Sequence, residues 1–379
     1  METRLQALVF VSLLMAKARI RGAAFERMKG RLERPEAFFE ASDRTLKELL
    51  GGPPEAVESL GRFLKEGREE ARRSAQRIEA IGGGAVWQED PSYPKRLRSI
   101  AGPPRVLFHL SSLASPLEIL ERPCVAVVGT REPTPYGEEA AVRFARDFAR
   151  NGVVVVSGLA HGIDTMAHEG SLEAGGPTVA VMANGIDSVY PRENEGLAAR
   201  IRGNGVLLSE LPPGTPPKSN LFPARNRIIS GLCDATAVVE ASARSGTMIT
   251  AGCALDQGRD VFAVPGSIFS DRCDGTNQLL KEGAFVLTDS EDLLERLPAS
   301  LRLGGFATPG RTVGDPSGEG RDPEERILDL LRAEPLDADS LSRRLGFGIQ
   351  EVSIALVRLE IENRVRKENG RYRASRKVF

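Results

Sequence analysis

The sequence contains few of the residues that build metal centres and disulfide frameworks. Its 379 residues include four cysteines and three histidines, and no two cysteines form a C-x-x-C pair. Zinc sites and disulfide scaffolds depend on closely spaced ligands, whereas scattered cysteines are typical of proteins in the reducing cytosol. We therefore expect no bound metal and a cytoplasmic location.

An excess of one charge and long hydrophobic runs are also lacking. The 51 basic and 52 acidic residues leave a formal net charge of -1, so a nucleic-acid-binding surface must be a local patch. No apolar run reaches the ~18 residues of a membrane span. Residues 5–16 are apolar, but KARIRG follows them where a signal peptide needs a small-residue cleavage site. Their helical spacing predicts an amphipathic first helix and no membrane partner.

Fingerprints of nucleotide cofactors are absent too. The segment GTREPTPYG at 129–137 follows the first predicted strand of a sheet. It lacks the G-x-G-x-x-G that holds a dinucleotide pyrophosphate, and the G-x-x-x-x-G-K-[ST] of a P-loop occurs nowhere in the sequence. We therefore predict no cofactor.

What the sequence does contain is a change of pattern along the chain. In residues 1–85, apolar side chains recur three and four apart, and Gly51-Gly52-Pro53-Pro54 interrupts them. This pattern predicts a helical domain, such as a small helical bundle. Residues 4–34 are rich in basic side chains, so a weak DNA contact is the alternative to simple packing on the neighbouring domain.

From Cys124 onward, short apolar runs rich in β-branched residues alternate with helical stretches. The runs are CVAVVG, VVVVSG, TVAVMANG, GVLLSE, ATAVVEA and DVFAVPG. They are apolar throughout rather than alternating, which is typical of strands covered on both faces. They predict an α/β domain with a doubly wound, parallel sheet, which we place at residues 86–300.

The remaining residues predict a linker and a second small domain. Residues 301–323 are rich in Gly, Pro, Ser and Thr, as flexible linkers are. Residues 324–379 contain three short helical segments and a hairpin that turns at Asn369-Gly370. Three helices followed by a hairpin form the pattern of a winged helix.

The loops after the strands are the candidate binding sites, because ligands of doubly wound sheets bind at the carboxyl ends of strands. After the first strand, Gly129, Thr130 and Arg131 precede a helix that begins near Gly137. The free amides and dipole of such a helix favour an anion. The guanidinium of Arg131 suits phosphate, although it equally suits a carboxylate inside the fold.

The loop after the second strand, SGLAHGIDTMAH, contains the residue types of a hydrolytic triad. Ser157 does not lie in a G-x-S-x-G motif, and Asp164 and His168 are one turn apart on a single helix. We interpret Asp164 as an N-cap that also holds His168, which makes both residues structural, and we predict no catalytic residue. Ser157, Gly158 and His161 are candidates for contact with a ligand at this strand end.

The loop after the fourth strand combines positive charge with an aromatic side chain. Core packing is the ordinary role of Phe222, and stacking on an unpaired base is the alternative. The arginines near it suit a nucleotide cofactor, a phosphorylated substrate or a nucleic-acid backbone. The candidate ligand-binding residues of this loop are Lys218, Phe222, Arg225, Asn226 and Arg227.

A second anion-accepting turn follows the fifth strand. Ser245, Gly246 and Thr247 precede another helix, and the amides at its start favour negative charge. Several such turns at one edge of a sheet suit a run of phosphates better than a single phosphate.

With these motifs the sequence strongly resembles the DNA processing protein A family, also called DprA or Smf. The matching segments include VAVVGTREPTPYG, SGLAHGIDTMAH, FPARNRIISGL and VVEASARSGTMITA, in the family's order. The resemblance implies a Rossmann-like, mostly parallel sheet with a helical domain before it and a winged helix after it. It also implies that the protein binds and protects single-stranded DNA, loads the recombinase RecA onto it during natural transformation, and acts as a homodimer.

The resemblance also carries residue roles. The family's phosphate-holding arginine corresponds here to Arg131. Its FP-x-RNR loop corresponds to Phe222, Arg225, Asn226 and Arg227, and its SG-[ST] turn corresponds to Ser245, Gly246 and Thr247. Arg225 and Arg227 would then hold consecutive phosphates of a single strand. The chain departs from the family at His161, where arginine is common, which weakens one backbone contact at neutral pH. Its N-terminal domain lacks the glycine-rich hairpins of many members.

Two other functions compete with this interpretation. Related Rossmann-like proteins hydrolyse nucleoside monophosphates with a glutamate in a similar turn, but Thr250 stands at that position here, so a catalytic carboxylate is missing. The second alternative is a regulator that binds DNA through the winged helix. Its predicted recognition helix, 349–361, carries Glu351, Glu360 and only Arg358, while the tail after it is basic. Whether that domain binds DNA or protein stays open.

Overall fold

A computed structural model describes residues 2–20, 22–51, 53–297, 327, 330–331, 336–361, 364–368 and 371–374. The chain divides into two compact units, Met1–Thr308 and Pro309–Phe379. The predicted linker at 301–323 and the predicted hairpin turn at 369–370 lie outside the described residues.

Six helices open the first unit, in agreement with the helical pattern of residues 1–85. Their bounds are α1 Glu2–Lys17, α2 Gly22–Leu32, α3 Pro35–Glu40, α4 Asp43–Leu50, α5 Pro54–Leu64 and α6 Gly67–Ala80. Helix α4 begins where the Ser42 side chain accepts a hydrogen bond from the Thr45 amide, as an N-cap does. It ends before Gly51, whose φ of 53° interrupts the helix.

The prediction that α1 is amphipathic is wrong. Residues 7–14 are all buried, so α1 has no solvent-facing stripe along its centre. It packs against α3 and α6 and against the edge of the sheet. A helix covered on every side must be apolar around its whole circumference, and this explains the long apolar segment near the N-terminus.

A mixed, mostly parallel sheet of nine strands forms the centre of the unit. The strands are β1 Gly83–Trp87, β2 Val106–Leu110, β3 Cys124–Val128, β4 Val154–Ser157, β5 Thr178–Val181, β6 Val206–Ser209, β7 Ala235–Val238, β8 Asp260–Ala263 and β9 Phe285–Val286. Their order is β1-β2-β6-β5-β4-β3-β7-β8-β9. Strands β3 to β9 pair in parallel, while β1 and β2 add an antiparallel edge. All six predicted strands are confirmed, and β1, β2 and β9 were not predicted.

Helices cover both faces of the sheet. They are α7 Lys95–Arg98, α8 Pro135–Arg150, α9 Ile163–Glu173, α10 Glu195–Asn204, α11 Leu221–Gly231, α12 Gly246–Asp256, α13 Asp274–Lys281 and α14 Ser290–Leu294. Val125 and Val127 of β3 pack in the layer of α8 and α9, whereas Ala126 and Val128 pack with α11 and α12. Because both faces are buried, alternate positions are equally apolar. This is the doubly wound arrangement that the sequence predicts.

The second unit is a winged helix. It contains α15 Ala338–Leu345, α16 Ile349–Ile361 and the antiparallel strands β10 Val365–Glu368 and β11 Arg371–Ala374. The Asp337 side chain caps α15, and Gly346 ends it in the left-handed conformation. Leu341, Val352 and Leu356 belong to its hydrophobic core. The first of the three predicted helices falls largely outside the described residues.

Candidate functional site

A cleft of about 620 Å³ opens at the carboxyl ends of β3 and β7. The chain runs from β3 to β6 on one side and returns to β7 on the other side of β3, so these two strands flank the topological switch point where ligands of such sheets bind. The predicted residues that line the cleft are Gly129, Thr130, Arg131, Lys218, Phe222, Arg225, Asn226, Ser245, Gly246 and Thr247. The tertiary structure thus brings together three loops that are far apart in the sequence.

Four other predicted residues, all in the described part of the chain, do not line the cleft: Ser157, Gly158, His161 and Arg227. The Ser157 hydroxyl is buried and donates to the Val127 carbonyl oxygen at 2.7 Å. His161 is exposed, and its Nε2 lies 3.9 Å from a carboxylate oxygen of Glu193. The buried hydrogen bond of Ser157 therefore stabilises the core, whereas His161 stays at the surface.

The loop after β3 is held in place by Glu240, a buried residue that the sequence analysis missed. Its carboxylate accepts hydrogen bonds from the Thr134 amide and hydroxyl, both at 2.8 Å. Its carbonyl oxygen accepts from the Thr130 amide at 2.7 Å. A Cβ on Gly129 would lie 2.5 Å from Ile163, so only glycine fits there. The sequence feature that could have indicated the role of Glu240 is its position as a charged residue at the end of an apolar strand.

Arg131 lies over an aromatic ring at the mouth of the cleft. Its guanidinium carbon is 5.0 Å from the centre of the Phe222 ring, within the range of a cation–π contact. Tyr190 meets Phe222 edge-on, with ring centres 5.8 Å apart, and is 46% exposed. Arg131 is itself exposed, so it does not cap a carboxylate inside the fold, and Phe222 faces the cleft rather than the core. Tyr190 was missed, although it follows a predicted strand.

Arg225 is buried beneath the cleft and is only 5% exposed. Its Nη1 donates to the carbonyl oxygen of Gly158 at 2.7 Å and also to that of Val181. Burial lowers the pKa of Arg225 to about 10, against the raising effect of Asp164, so the group stays charged at neutral pH. Burial raises the pKa of Asp164, while the Arg225 charge and backbone amides oppose the change.

Arg227 points away from the cleft. Its guanidinium donates to both carboxylate oxygens of Glu210, at 3.0 and 2.6 Å. It also donates to the carbonyl oxygens of Gly102 and Ala224. Residues two apart on a helix face in nearly opposite directions, so Arg225 and Arg227 of α11 cannot share one face. The position of Arg227 therefore does not support the expectation that the two arginines hold consecutive phosphates.

The amino-terminal end of α12 opens into the cleft. Ser245 caps it by accepting a hydrogen bond from the Thr247 amide at 3.1 Å. The Thr247 hydroxyl donates to the Gly129 carbonyl oxygen at 2.9 Å, which ties this turn to the loop after β3. Asn226 Nδ2 donates to the Gly246 carbonyl oxygen at 3.3 Å. The first turn of a helix attracts anions, and here it lies beside the loop after β3, which carries Arg131.

Asp164 and His168 are both buried, but the predicted contact between them is wrong. Asp164 accepts from the amides of Gly158 and Ala160, at 3.1 and 3.4 Å. Nδ1 of His168 lies 2.8 Å from the Thr178 hydroxyl because the ring turns toward the sheet. Gly162, not Asp164, is the N-cap of α9. Burial, together with the Arg225 charge, lowers the pKa of His168 to about 3, so the ring is neutral.

Two protein-family models match this chain. The family model described as DNA recombination-mediator protein A matches residues 84–298. The chain belongs to this family. A model of the DprA winged helix domain matches residues 314–371. The family resemblance found in the sequence is thereby confirmed.

Curated relatives and solved structures agree with this assignment. The chain is 35% identical to Protein Smf of Escherichia coli over 316 residues, which is 79% of this chain and 83% of that protein. It is 45% identical to DNA processing protein DprA of Bacillus subtilis over 206 residues, or 54% of this chain and 68% of that protein. The X-ray structure of DNA processing protein A from Streptococcus pneumoniae aligns with a TM-score of 0.66 and 33% identity, over 76% of this chain and 97% of that chain.

A further structure is that of DNA processing protein A from Helicobacter pylori, which addresses how that protein binds single-stranded DNA. It aligns with a TM-score of 0.51 and 31% identity, over 57% of this chain and 95% of that chain. No helix of the described residues is long and apolar enough to cross a membrane. Within those same residues, no group of three or more His, Cys, Asp or Glu side chains is arranged to hold a metal ion.

Proposed function

We propose that the cleft binds the backbone of single-stranded DNA, and that the protein protects incoming single strands and loads RecA recombinase onto them during natural transformation. The observation that carries this proposal is the meeting of Arg131, Phe222 and the start of α12 in one open cleft. A cation, an aromatic face and a helix amino terminus together fit a chain of phosphates and unpaired bases.

The cleft presents more than one positive group to an anion. Arg131 lies at the mouth of the cleft, and Lys218 lines it from the exposed loop before α11. Gly246 and Thr247 offer the first turn of α12 as a third anion-accepting position. Arg225 adds a charge from below. In this proposal the DNA strand crosses the cleft with successive phosphates near these groups. Binding of the DNA therefore depends on salt and has little sequence preference.

The aromatic pair favours unpaired DNA. Tyr190 and Phe222 lie inside a cleft rather than on a flat face, and a ring can stack there only on a base that is free of its complementary strand. The Helicobacter pylori relative, whose structure concerns single-stranded DNA binding, supports the same ligand for this chain. Family membership supports RecA as the protein partner and a homodimer as the active form.

The geometry favours binding over hydrolysis. Thr250 is buried at the base of the cleft, where the related hydrolases carry a glutamate. The carboxylates that line the cleft belong to Glu132 and Asp164. Asp164 is occupied by the Gly158 and Ala160 amides, so it is poorly placed to act on a glycosidic bond. We propose that the protein is not an enzyme.

One experiment tests ligand class and activity together. The full chain is titrated with an unpaired oligothymidylate, the matching duplex and a nucleoside monophosphate over a salt series, and released base is assayed chromatographically. We expect tight, salt-dependent binding of the oligothymidylate, weaker binding of the duplex and no released base. Preferential binding of the monophosphate with release of free base would show a hydrolase instead. Light scattering of the same samples should show a dimer, and a monomer with and without DNA would contradict that part.

A further inference from the structure

The turn after β8, residues 265–273, carries two exposed apolar side chains. Phe269 is 92% exposed and Ile268 is 78% exposed. Scattered surface hydrophobics are ordinary, but an almost fully exposed phenylalanine on a connecting loop is a candidate contact for a ligand. The function proposed above does not use it.

The turn is held in shape by its own hydrogen bonds. The amide of Phe269 donates to the Ser267 hydroxyl at 3.2 Å, and the Ser270 amide donates to the Ser267 carbonyl oxygen at 3.1 Å. Gly266 and Asn277 exchange two hydrogen bonds, at 3.3 and 3.2 Å, at the base of the turn. Because the backbone is already ordered, a ligand that covers the ring does not have to order the loop.

The same turn adjoins the rim of the cleft. Strand β8 lies next to β7 in the sheet, so the turn follows a strand end on the edge where the cleft opens. Arg272 Nη2 is 3.5 Å from a carboxylate oxygen of Glu132, which lines the cleft. The Tyr136 hydroxyl donates to the Pro265 carbonyl oxygen at 2.9 Å. One side-chain contact therefore joins the loop after β3 to the turn that carries Phe269, and a second joins the start of α8 to that turn.

We propose that a single strand bound in the cleft continues across Arg272 and stacks an unpaired base on Phe269. This inference rests on the proposed function and extends its site beyond the cleft. Arg272 follows Phe269 by three residues in the same turn, so the turn supplies the two residue types, a ring and a guanidinium, that Phe222 and Arg131 supply in the cleft, and these types serve a base and its phosphate together. Tyr136, which is half exposed at the start of α8, adds an aromatic side chain that contacts the turn through the Pro265 carbonyl oxygen.

The test measures how the full chain binds oligothymidylates of two lengths. The short one has about 6 nucleotides and fills the cleft, and the long one has about 20 nucleotides and reaches beyond it. The variants are Phe269→Ala, Phe269→Leu and Phe269→Trp. Ile268→Ala is the matched control, because it removes an exposed apolar side chain from the same turn without removing a ring. Binding is measured by fluorescence anisotropy, and the molar mass of each variant by light scattering.

We expect Phe269→Ala and Phe269→Leu to weaken binding of the long oligonucleotide about tenfold. Phe269→Trp and Ile268→Ala should leave it unchanged. All variants should bind the short oligonucleotide like the unaltered chain and keep its molar mass.

Unchanged long-oligonucleotide binding in Phe269→Ala would overturn the inference, and so would full binding by Phe269→Leu. A changed molar mass in both Phe269→Ala and Ile268→Ala would assign the turn to self-association. Failure of the unaltered chain to bind the short oligonucleotide would instead contradict the proposed function.

Discussion

Asp164 and Arg225 hold Gly158 from its two sides. The amide of Gly158 donates to Asp164 Oδ2 at 3.1 Å, and its carbonyl oxygen accepts from Arg225 Nη1 at 2.7 Å. A Cβ at this position would lie 2.4 Å from Arg225 Nη1, so the arrangement requires glycine. The two buried charges thereby connect the loop after β4 to α11. Arg225 shapes the floor of the cleft as well as charging it.

Arg225→Ala should lower the free energy of unfolding by about 3 kcal/mol, because it leaves Asp164 as a buried charge without its partner. Arg227→Ala is the matched control. The Arg227–Glu210 pair is partly exposed, so the carboxylate that Arg227→Ala leaves behind is still reached by water and the loss should be smaller than that of Arg225→Ala. Urea unfolding of both variants measures the difference. Adding Asp164→Asn to Arg225→Ala should recover part of the loss, and equal losses in the two single variants would contradict this account.

Arg131→Ala should weaken binding of single-stranded DNA at every sequence and lower the slope of log affinity against log salt by about 0.7, since one phosphate contact is lost. Arg227→Ala should leave the slope unchanged, because Arg227 is engaged by Glu210 outside the cleft. Arg150→Ala, at the far end of α8, is a second control. Anisotropy titrations over a salt series give the slopes. A smaller slope in Arg227→Ala than in Arg131→Ala would place the strand on the other face of α11.

His168 should make the protein less stable in acid. Its pKa falls from the ordinary 6.5 to about 3 in the folded chain, so between these values the unfolded chain binds the extra proton. The stabilisation is complete above pH 6.5 and is lost as the pH falls toward 3, with a slope of up to about 1.4 kcal/mol per pH unit. Urea unfolding at several pH values should show a shallower slope for His168→Gln. Thr178→Val, which removes the hydroxyl that contacts the ring and donates to the Val155 carbonyl oxygen, should lower stability at every pH and keep the slope.

A shortened chain of residues 1–308 should bind an unpaired oligonucleotide within about tenfold of the full chain, or roughly 1.4 kcal/mol. The residues that line the cleft lie between Val128 and Thr250, within the first unit. Our prediction that residues 301–323 form a flexible linker gives the winged helix a reach of ~25 Å rather than a fixed place in the site. A loss of a hundredfold or more, with circular dichroism showing a folded protein, would place the winged helix in the single-strand site.

Some features of this protein follow from its sequence alone. The six apolar, β-branched runs are signals within each segment, and they predict strands covered on both faces. Because parallel strands end at one edge of a sheet, the loops with Arg131, Phe222 and Gly246 had to lie on the same side of the domain. The family motifs in those loops allowed the ligand to be predicted before any distance was known.

Other features depended on the tertiary structure, since they are set by partners far away in the chain. The strands β1 and β2 contain glycine or polar residues and are completed by pairing with the sheet edge. Glu240 and Tyr190 gain their roles only from contacts with Thr134 and Phe222. The neighbouring arginines of α11 look alike in the sequence, yet the helix turns Arg225 toward the cleft and Arg227 toward Glu210. The sequence determined which loops meet at the sheet edge, and the packing of the helix decided which arginine faces the cleft.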